Sequence, residues 1–378
     1  MKSLLRITML LVSTVVLAVM ASCSSEPNDV WLCGNLSDGT AVYWINGEQH
    51  TLESPGGEAV AYDMAVVNGD VYVAGQLKPK DLTMQARAAY WINGKIHLLT
   101  DGTYTSCAKA VTVTDAGDVI TAGYAYDSPM TRTRSSKFEY THRRMSVAKC
   151  WNNNTELYSL TDGKWDAACE DVIMYGPNIL LMGYDLERNR FERFVDPYYR
   201  QPSIWINGNP YRKSTPKGEW EPFYDGCGAF YTACYNGIDL RIAGYSDHNL
   251  ESYGFRACYW DEQGWEKELP DSYNVRITGS CTDLSDWYLC GTNDDNQGIY
   301  WKNGKSVKLT PDGSPLTSSA DAIAVIHEDV YVAGTHQGRG GYWRNGEFQP
   351  LEASVENMVG IYIKEKQSYY KKEKCGKI

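Results

Sequence analysis

A tryptophan-bearing turn recurs seven times along this chain of 378 residues, each followed at a nearly fixed distance by a short apolar run that ends in glycine. The tryptophans are Trp44, Trp91, Trp151, Trp205, Trp260, Trp301 and Trp343, most of them inside Tyr-Trp-x-Asn-Gly. The glycines are Gly34, Gly75, Gly123, Gly183, Gly244, Gly291 and Gly334, closing runs like Asp-Val-Tyr-Val-Ala-Gly. From each Trp to the next such Gly the count is 31, 32, 32, 39, 31 and 33 residues, whereas from each Gly to the following Trp it is 10, 16, 28, 22, 16, 10 and 9. A unit of fixed length with one variable loop describes a repeat scaffold that carries its site on the loops.

Each unit holds four strand signals. In residues 58–99 they are Glu58 to Val67, Val71 to Ala74 after Asn68-Gly69-Asp70, Ala88 to Ile92 with the Trp, and Lys95 to Leu99 after Asn93-Gly94. Asn-Gly favours the two-residue hairpin turn because both central residues need positive φ. It recurs at Asn46-Gly47, Asn207-Gly208, Asn303-Gly304 and Asn345-Gly346, with Asn152 to Asn154 standing in for it once. A four-stranded meander alone buries too little apolar surface to fold, whereas seven packed face to face around an axis do. No segment shows sustained 3.6-residue periodicity, so the expected class is all-β: a seven-bladed β-propeller of antiparallel blades, with the tryptophans packing between blades.

The chain starts and stops inside a blade. Asp29 to Gly34 reads as a second strand with no first, and Met358 to Ile363 as a first strand with no second, so pairing the two ends completes the ring. Lys371, Lys372, Glu373 and Lys374 do not suit a buried strand, which makes 368–378 a basic tail and 29–367 the propeller. The Tyr-Trp-x-Asn-Gly hairpin with Val-Tyr-Val-Ala-Gly also resembles a group of propeller lipoproteins of the Bacteroidota kind and, more distantly, the extracellular HAF-type repeats. That resemblance covers residues 29–364 and implies the propeller fold; it implies no catalytic motif.

Residues 1–22 read as a secretory signal, with Lys2 and Arg6 ahead of an apolar stretch too short to span a bilayer. Ala21-Ser22-Cys23 resembles a bacterial lipobox, although Met20 departs from the usual Leu. Cleavage there would leave Cys23 as an acylated N-terminus and residues 23–28 as a tether, with the protein outside the cytoplasm at the bacterial outer membrane and no other membrane contact expected. The processed chain has 34 Lys and Arg against 47 Asp and Glu, a net charge of −13, which argues against nucleic acid as a partner.

Eleven cysteines in an exported chain would ordinarily suggest disulfides. Cys33 and Cys290, however, fill the slot held by Ala74, Ala122, Ala243 and Ala333 in sister repeats, so they read as small buried apolar side chains with free thiols. Cys375, in the basic tail, is the one expected to be exposed. Cys-x-x-Cys, His-Glu-x-x-His, Gly-x-Ser-x-Gly and P-loop patterns are all missing, so no metal or cofactor is predicted.

In a meander the joints between strands one and two and between three and four share one face of the disc. The tight turns lie there, and the variable connections lie on the other face, longest over blades three to five. Those loops concentrate Arg and aromatic side chains in an acidic protein, including Tyr126, Arg134, Tyr140, Arg190, Phe191, Tyr198, Tyr199 and Trp220. Aromatic faces stack on sugar rings and Arg forks hold anions, so a glycan or other ligand is the first expectation, with self-packing of long loops as the competing one. A second set, Tyr62, Lys109, Glu170 and Asp321, falls at one inner-strand position in four blades if a one-residue slip is allowed. These residues either form a charge network around the axis or, through Glu170 and Asp321, supply the acid and base of a glycoside hydrolase or lyase. A third function class, an interaction subunit of an envelope protein complex, fits the same scaffold.

Overall fold

The computed structural model describes residues 28–128, 131–134, 140–185, 201–214, 220–222, 228–246, 255–311 and 316–365. They form seven four-stranded antiparallel sheets arranged as a seven-bladed β-propeller, with two additional short hairpins. Numbered from the N-terminus, blade two is representative: Gly57–Val67, Asp70–Pro79, Arg87–Ile92 and Lys95–Leu98, from the axis outward. The innermost strands of blades three to seven are Ser106–Val113, Ala167–Tyr175, Gly228–Tyr235, Val275–Asp283 and Ala322–Ile326. Blade one closes the ring with Val355–Lys364 as strand one, paired antiparallel to Asp29–Leu36 as strand two, with Asp29 opposite Lys364 and Cys33 opposite Gly360.

Each repeat Trp packs against the preceding blade. Trp91 joins Trp31, Tyr43 and Leu52 of blade one, Trp151 joins Ala74 and Tyr90 of blade two, and Trp205 joins Ile120 and Cys150 of blade three. Around the ring Trp260 meets Met182 and Ile204, Trp301 meets Ala243 and Leu269, and Trp343 meets Tyr288 and Cys290. Trp44 closes the circle on Tyr331 and Ala333 of blade seven. All seven are essentially buried. At about 25 cal/mol per Å² and about 150–250 Å² each, one Trp contributes roughly 4–6 kcal/mol of gross burial to an inter-blade seam.

The repeat Gly has a different cause. In blades two to six strand one carries a bulge opposite it, which skips Tyr62, Lys109, Glu170, Tyr231 and Thr278 in turn. Val359 is skipped likewise in blade one. The bulge draws a strand-one carbonyl against the glycine Cα. A Cβ on Gly75, Gly123 or Gly183 would lie 2.1, 2.0 or 2.1 Å from the oxygen of Val60, Cys107 or Ala168, so only glycine fits.

The Asn of each Asn-Gly turn does more than turn the chain. Asn93, in left-handed geometry at φ +48°, accepts the Val71 N–H through Oδ1 at 2.9 Å and donates from Nδ2 to Asp70 at 2.8 Å. Asn46, Asn153, Asn207, Asn303 and Asn345 make the same pair of bonds to the start of strand two in their own blades. Blade five has no such Asn; there the Glu262 carboxylate accepts the Leu240 N–H at 3.1 Å.

The eight cysteines among the described residues are free, and seven of them are buried. Cys23, Cys227 and Cys375 lie outside the described residues, as do the signal segment and the tail.

Candidate functional site at the channel mouth

The seven inner strands surround a channel of about 270 Å³. Its wall is two-sided. Blades two to five supply Tyr62, Asp63, Lys109, Glu170, Asp171, Tyr231 and Thr232 beside apolar residues such as Met64 and Val172, and blade six supplies Thr278 and Ser280, while Ala322, Ile323, Val359, Gly360 and Ile361 make the opposite arc small or apolar.

Tyr62, Lys109 and Glu170 occupy the bulged position of three successive blades and all line the channel. The Lys109 ammonium sits 4.8 Å from the Tyr62 ring centroid and 3.6 Å from the Glu170 carboxylate. Lys109 thus links an aromatic face on one side to an anion on the other. Burial pushes the Tyr62 phenol up to about 12, and its hydroxyl accepts a bond from Gln76 at 3.1 Å. Tyr231 fills the same position in blade five, with the Arg276 guanidinium 5.4 Å from its centroid.

Asp321 occupies the equivalent position without any slip. The Cβ of Gly334 would meet the Ser319 oxygen, as that of Gly75 would meet Val60, and Ala322 pairs with Ala333 as Asp63 pairs with Ala74. Its side chain behaves differently from the other three. The carboxylate accepts the Ser319 hydroxyl at 3.1 Å and the Met358 N–H of blade one at 3.2 Å, and Asp321 is not among the channel-lining residues. Glu170 and Asp321 are three blades apart, and the structure does not bring them together as lining groups.

The carboxylates that accompany Glu170 in the channel are Asp63 and Asp171, each directly after a bulged residue. Asp63 accepts the Val111 N–H of the next blade at 2.9 Å, and Asp171 accepts the Ala233 N–H of its next blade at 3.1 Å. Both therefore stitch adjacent inner strands. Burial raises Asp63 to about 6; burial and then the nearby Asp63 raise Asp171 to about 7.

One position nearer the long-loop end of strand two, the residue after the repeat Gly is Asn35, Gln76, Tyr124, Tyr184, Tyr245, Thr292 or Thr335 in blades one to seven. Tyrosine stands there in blades three, four and five only, beneath the longest connections. Burial, with smaller contributions from Cys107, Tyr126, Tyr62 and Tyr184, raises the Tyr124 phenol. The Tyr124 ring meets Tyr126 edge-on at 5.7 Å, and Tyr245 lies 5.8 Å from Tyr231 and 5.1 Å from Phe255. Tyr124 thus neighbours the channel-lining Tyr62, and Tyr245 the channel-lining Tyr231, on the side of the channel that holds Lys109, Glu170 and Arg276.

Of the loop residues singled out from sequence, Tyr126 joins this cluster and is 37% exposed. Arg134 and Tyr140 lie on a hairpin, Thr131–Arg134 with Tyr140–Arg143, inserted between strands two and three of blade three. Trp220 lies on a second, Arg212–Ser214 with Trp220–Pro222, between blades four and five. The topology puts both hairpins on the long-loop face; the side chains of these three residues are not described. Arg190, Phe191, Tyr198 and Tyr199 lie outside the described residues. Sequence reasoning passed over Tyr184, Tyr231, Tyr245, Arg276, Asp63 and Asp171, although their place directly after the repeat Gly marks two of them, Tyr184 and Tyr245.

The fold and site define an all-β propeller with an aromatic and charged channel mouth. No protein-family model matches the chain, and no curated protein does. Among solved structures it is similar to the β-propeller domain of the trilobed protease from Pyrococcus furiosus, at 10% identity and TM-score 0.48, over 86% of this chain and 94% of that one. It is also similar to the acylaminoacyl peptidase of Pyrococcus horikoshii, at 11% identity and TM-score 0.49, over 87% of this chain and 51% of that one. An acylaminoacyl peptidase in complex with Z-Gly-Gly-Phe-chloromethyl ketone matches at 11% identity and TM-score 0.47, over 86% of this chain and 50% of that one. The chain therefore spans about half the length of the two peptidases, and these likenesses concern the fold alone.

Proposed function

We propose that this protein is an extracytoplasmic binding propeller, held at a bacterial outer membrane through acyl chains on Cys23, and that it takes a carbohydrate at the channel mouth of blades two to five. The observation that carries the reading is the coincidence of two asymmetries. Tyrosine follows the repeat Gly in blades three to five only, and the inserted hairpins fall over the same arc. Tyrosine rings supply flat apolar faces for the C–H side of a sugar, while Lys109, Glu170 and Arg276 supply donors and acceptors for its hydroxyls. A glycan array probed with the purified protein tests this. Selective retention of one glycan class that Tyr231→Ala abolishes is expected, and no retention across the array would overturn the carbohydrate assignment.

A second reading, glycoside hydrolysis, is favoured by one observation: Asp171, raised to about 7, keeps a proton near neutral pH and lines the same channel as Glu170. Turnover of a bound glycan that disappears in both Glu170→Gln and Asp171→Asn supports it. Turnover unchanged in the double variant excludes those carboxylates.

A further inference from the structure

Strand direction fixes which face of the disc the chain's ends leave. In blade one, strand two begins at Asp29 and strand one ends at Lys364, and these residues pair with each other at the end where strands one and two of every other blade are joined by a tight turn. Both chain ends therefore leave from the tight-turn face. Cys23 lies only five peptide units before Asn28, which bonds Tyr331 through its side chain at 3.1 Å. A fully extended chain of that length spans about 17 Å.

The same face carries an apolar group far from the anchor. Among the described residues, four large apolar side chains are exposed by 70% or more: Leu82, Ile238, Trp265 and Leu284. Leu82 lies on the long-loop face. The other three lie at tight turns of adjacent blades: Ile238 between strands one and two of blade five, Trp265 between strands three and four of blade five, and Leu284 between strands one and two of blade six. Trp265 stands in the blade that departs from the Asn-Gly turn, so this site breaks the repeat chemistry as well as the exposure pattern. Asp239, Asp261, Glu262, Asp283 and Asp286 lie in or beside these turns, so the contact suits a zwitterionic headgroup layer and not an anionic one. Beyond Lys364, which ends strand one of blade one, the sequence of residues 368–378 contains Lys371, Lys372, Lys374 and Lys377 against Glu373.

We infer that the tight-turn face is turned to the bilayer, with Ile238, Trp265 and Leu284 entering the headgroup region, and that the channel mouth faces away. This rests on the anchored reading above. A tether at blade one and an apolar contact at blades five and six hold the disc at two points on either side of its axis. A Trp and two aliphatic side chains suit the interfacial layer, where an amphipathic ring and apolar groups gain by leaving water. A single lipid-anchored cysteine would otherwise let the disc tumble on its tether. With the contact made, the long loops are held toward whatever ligand approaches from outside.

The test uses the full acylated chain reconstituted in phosphatidylethanolamine vesicles containing brominated phosphatidylcholine, which quenches tryptophan only at membrane depth. The mass of the N-terminal peptide is read first and judges the anchor alone: a missing acyl mass overturns that reading and, with it, the tethered geometry. With acylated protein, quenching is expected that Trp265→Phe removes and that Trp165→Phe, on the long-loop face, leaves unchanged. Ile238→Ser with Leu284→Ser should cut that quenching by half or more. Absence of quenching in the acylated protein, or its removal by Trp165→Phe, overturns the orientation.

Discussion

Replacing Asn303 by Gly isolates what the side chain of the turn contributes, because Gly accepts the positive φ of that position without strain. Two hydrogen bonds are lost: one from the Trp287 N–H at 3.0 Å and one to the Asp286 carboxylate at 2.7 Å. The first is worth about 1 kcal/mol net, and the second about 1.5 kcal/mol, the low end for a charged acceptor because this turn is exposed. Greater freedom of the unfolded chain adds about 0.5 kcal/mol. The expected loss is therefore about 3 kcal/mol. Asn303→Ala loses the same bonds and keeps a Cβ in the left-handed region without the short polar side chain that lets Asn tolerate it, costing roughly 1 kcal/mol more. Blade five supplies a control, since Gln263 is not part of such a clamp, and Gln263→Ala should change stability by less than about 0.5 kcal/mol. Glu262→Ala should instead weaken that blade, because Glu262 takes the place of the Asn at the Leu240 N–H. Urea unfolding followed by tryptophan fluorescence reads all four variants. If Asn303→Gly unfolds at the wild-type midpoint, or is less stable than Asn303→Ala, the clamp does not hold the hairpin to strand two.

Gly123→Ala places a Cβ 2.0 Å from the Cys107 oxygen, so soluble expression or the unfolding midpoint should fall sharply, by at least about 3 kcal/mol, whereas Gly117→Ala, in an open turn, should cost only the strain of its positive φ. Asp63, Asp171 and Asp321, raised to about 6, 7 and 6, bind protons in the folded chain that the unfolded chain has released by about pH 4. Their contribution to stability is thus complete below the unfolded value and is lost as pH rises through 6 to 7. Unfolding midpoints should fall between pH 5 and pH 8, and Asp63→Asn should flatten that slope; an unchanged slope would show that these groups do not titrate with folding. Burial raises the thiols of Cys107, Cys150 and Cys290 to about 12, so native alkylation followed by mass mapping should leave these three unmodified until denaturant is added.

The parts of this fold that are legible in the sequence are those in which one residue type does one job in every copy. Trp fills a seam and Gly tolerates a close carbonyl, so their spacing reports the blades and the closure of Asp29–Leu36 on Val355–Lys364 directly. The bulge is harder to read. Alternation puts successive strand residues on opposite faces, yet the bulge lets Tyr62 and Asp63, Lys109 and Ala110, and Glu170 and Asp171 line the channel as pairs. A period of two therefore hides Asp63 and Asp171 behind their neighbours. The Asn-Gly signal is read as a turn while its side-chain clamp stays invisible, because the acceptor and donor come from another strand. The tyrosines after Gly123, Gly183 and Gly244 sit at a fixed offset and become visible once the position after the repeat Gly is compared across blades. Attention to the long loops draws it away from them.

The account stands or falls on whether the mouth between blades two and five holds the ligand. Isothermal titration of the glycan selected on the array, against wild type, Tyr184→Ala, Lys109→Met and a Thr335→Ala control from blade seven, measures this directly. The account predicts a loss of tenfold or more for each of the first two variants, about 1.4 kcal/mol or more, with wild-type affinity for Thr335→Ala. Equal affinity in all four proteins would place the binding elsewhere and contradict it.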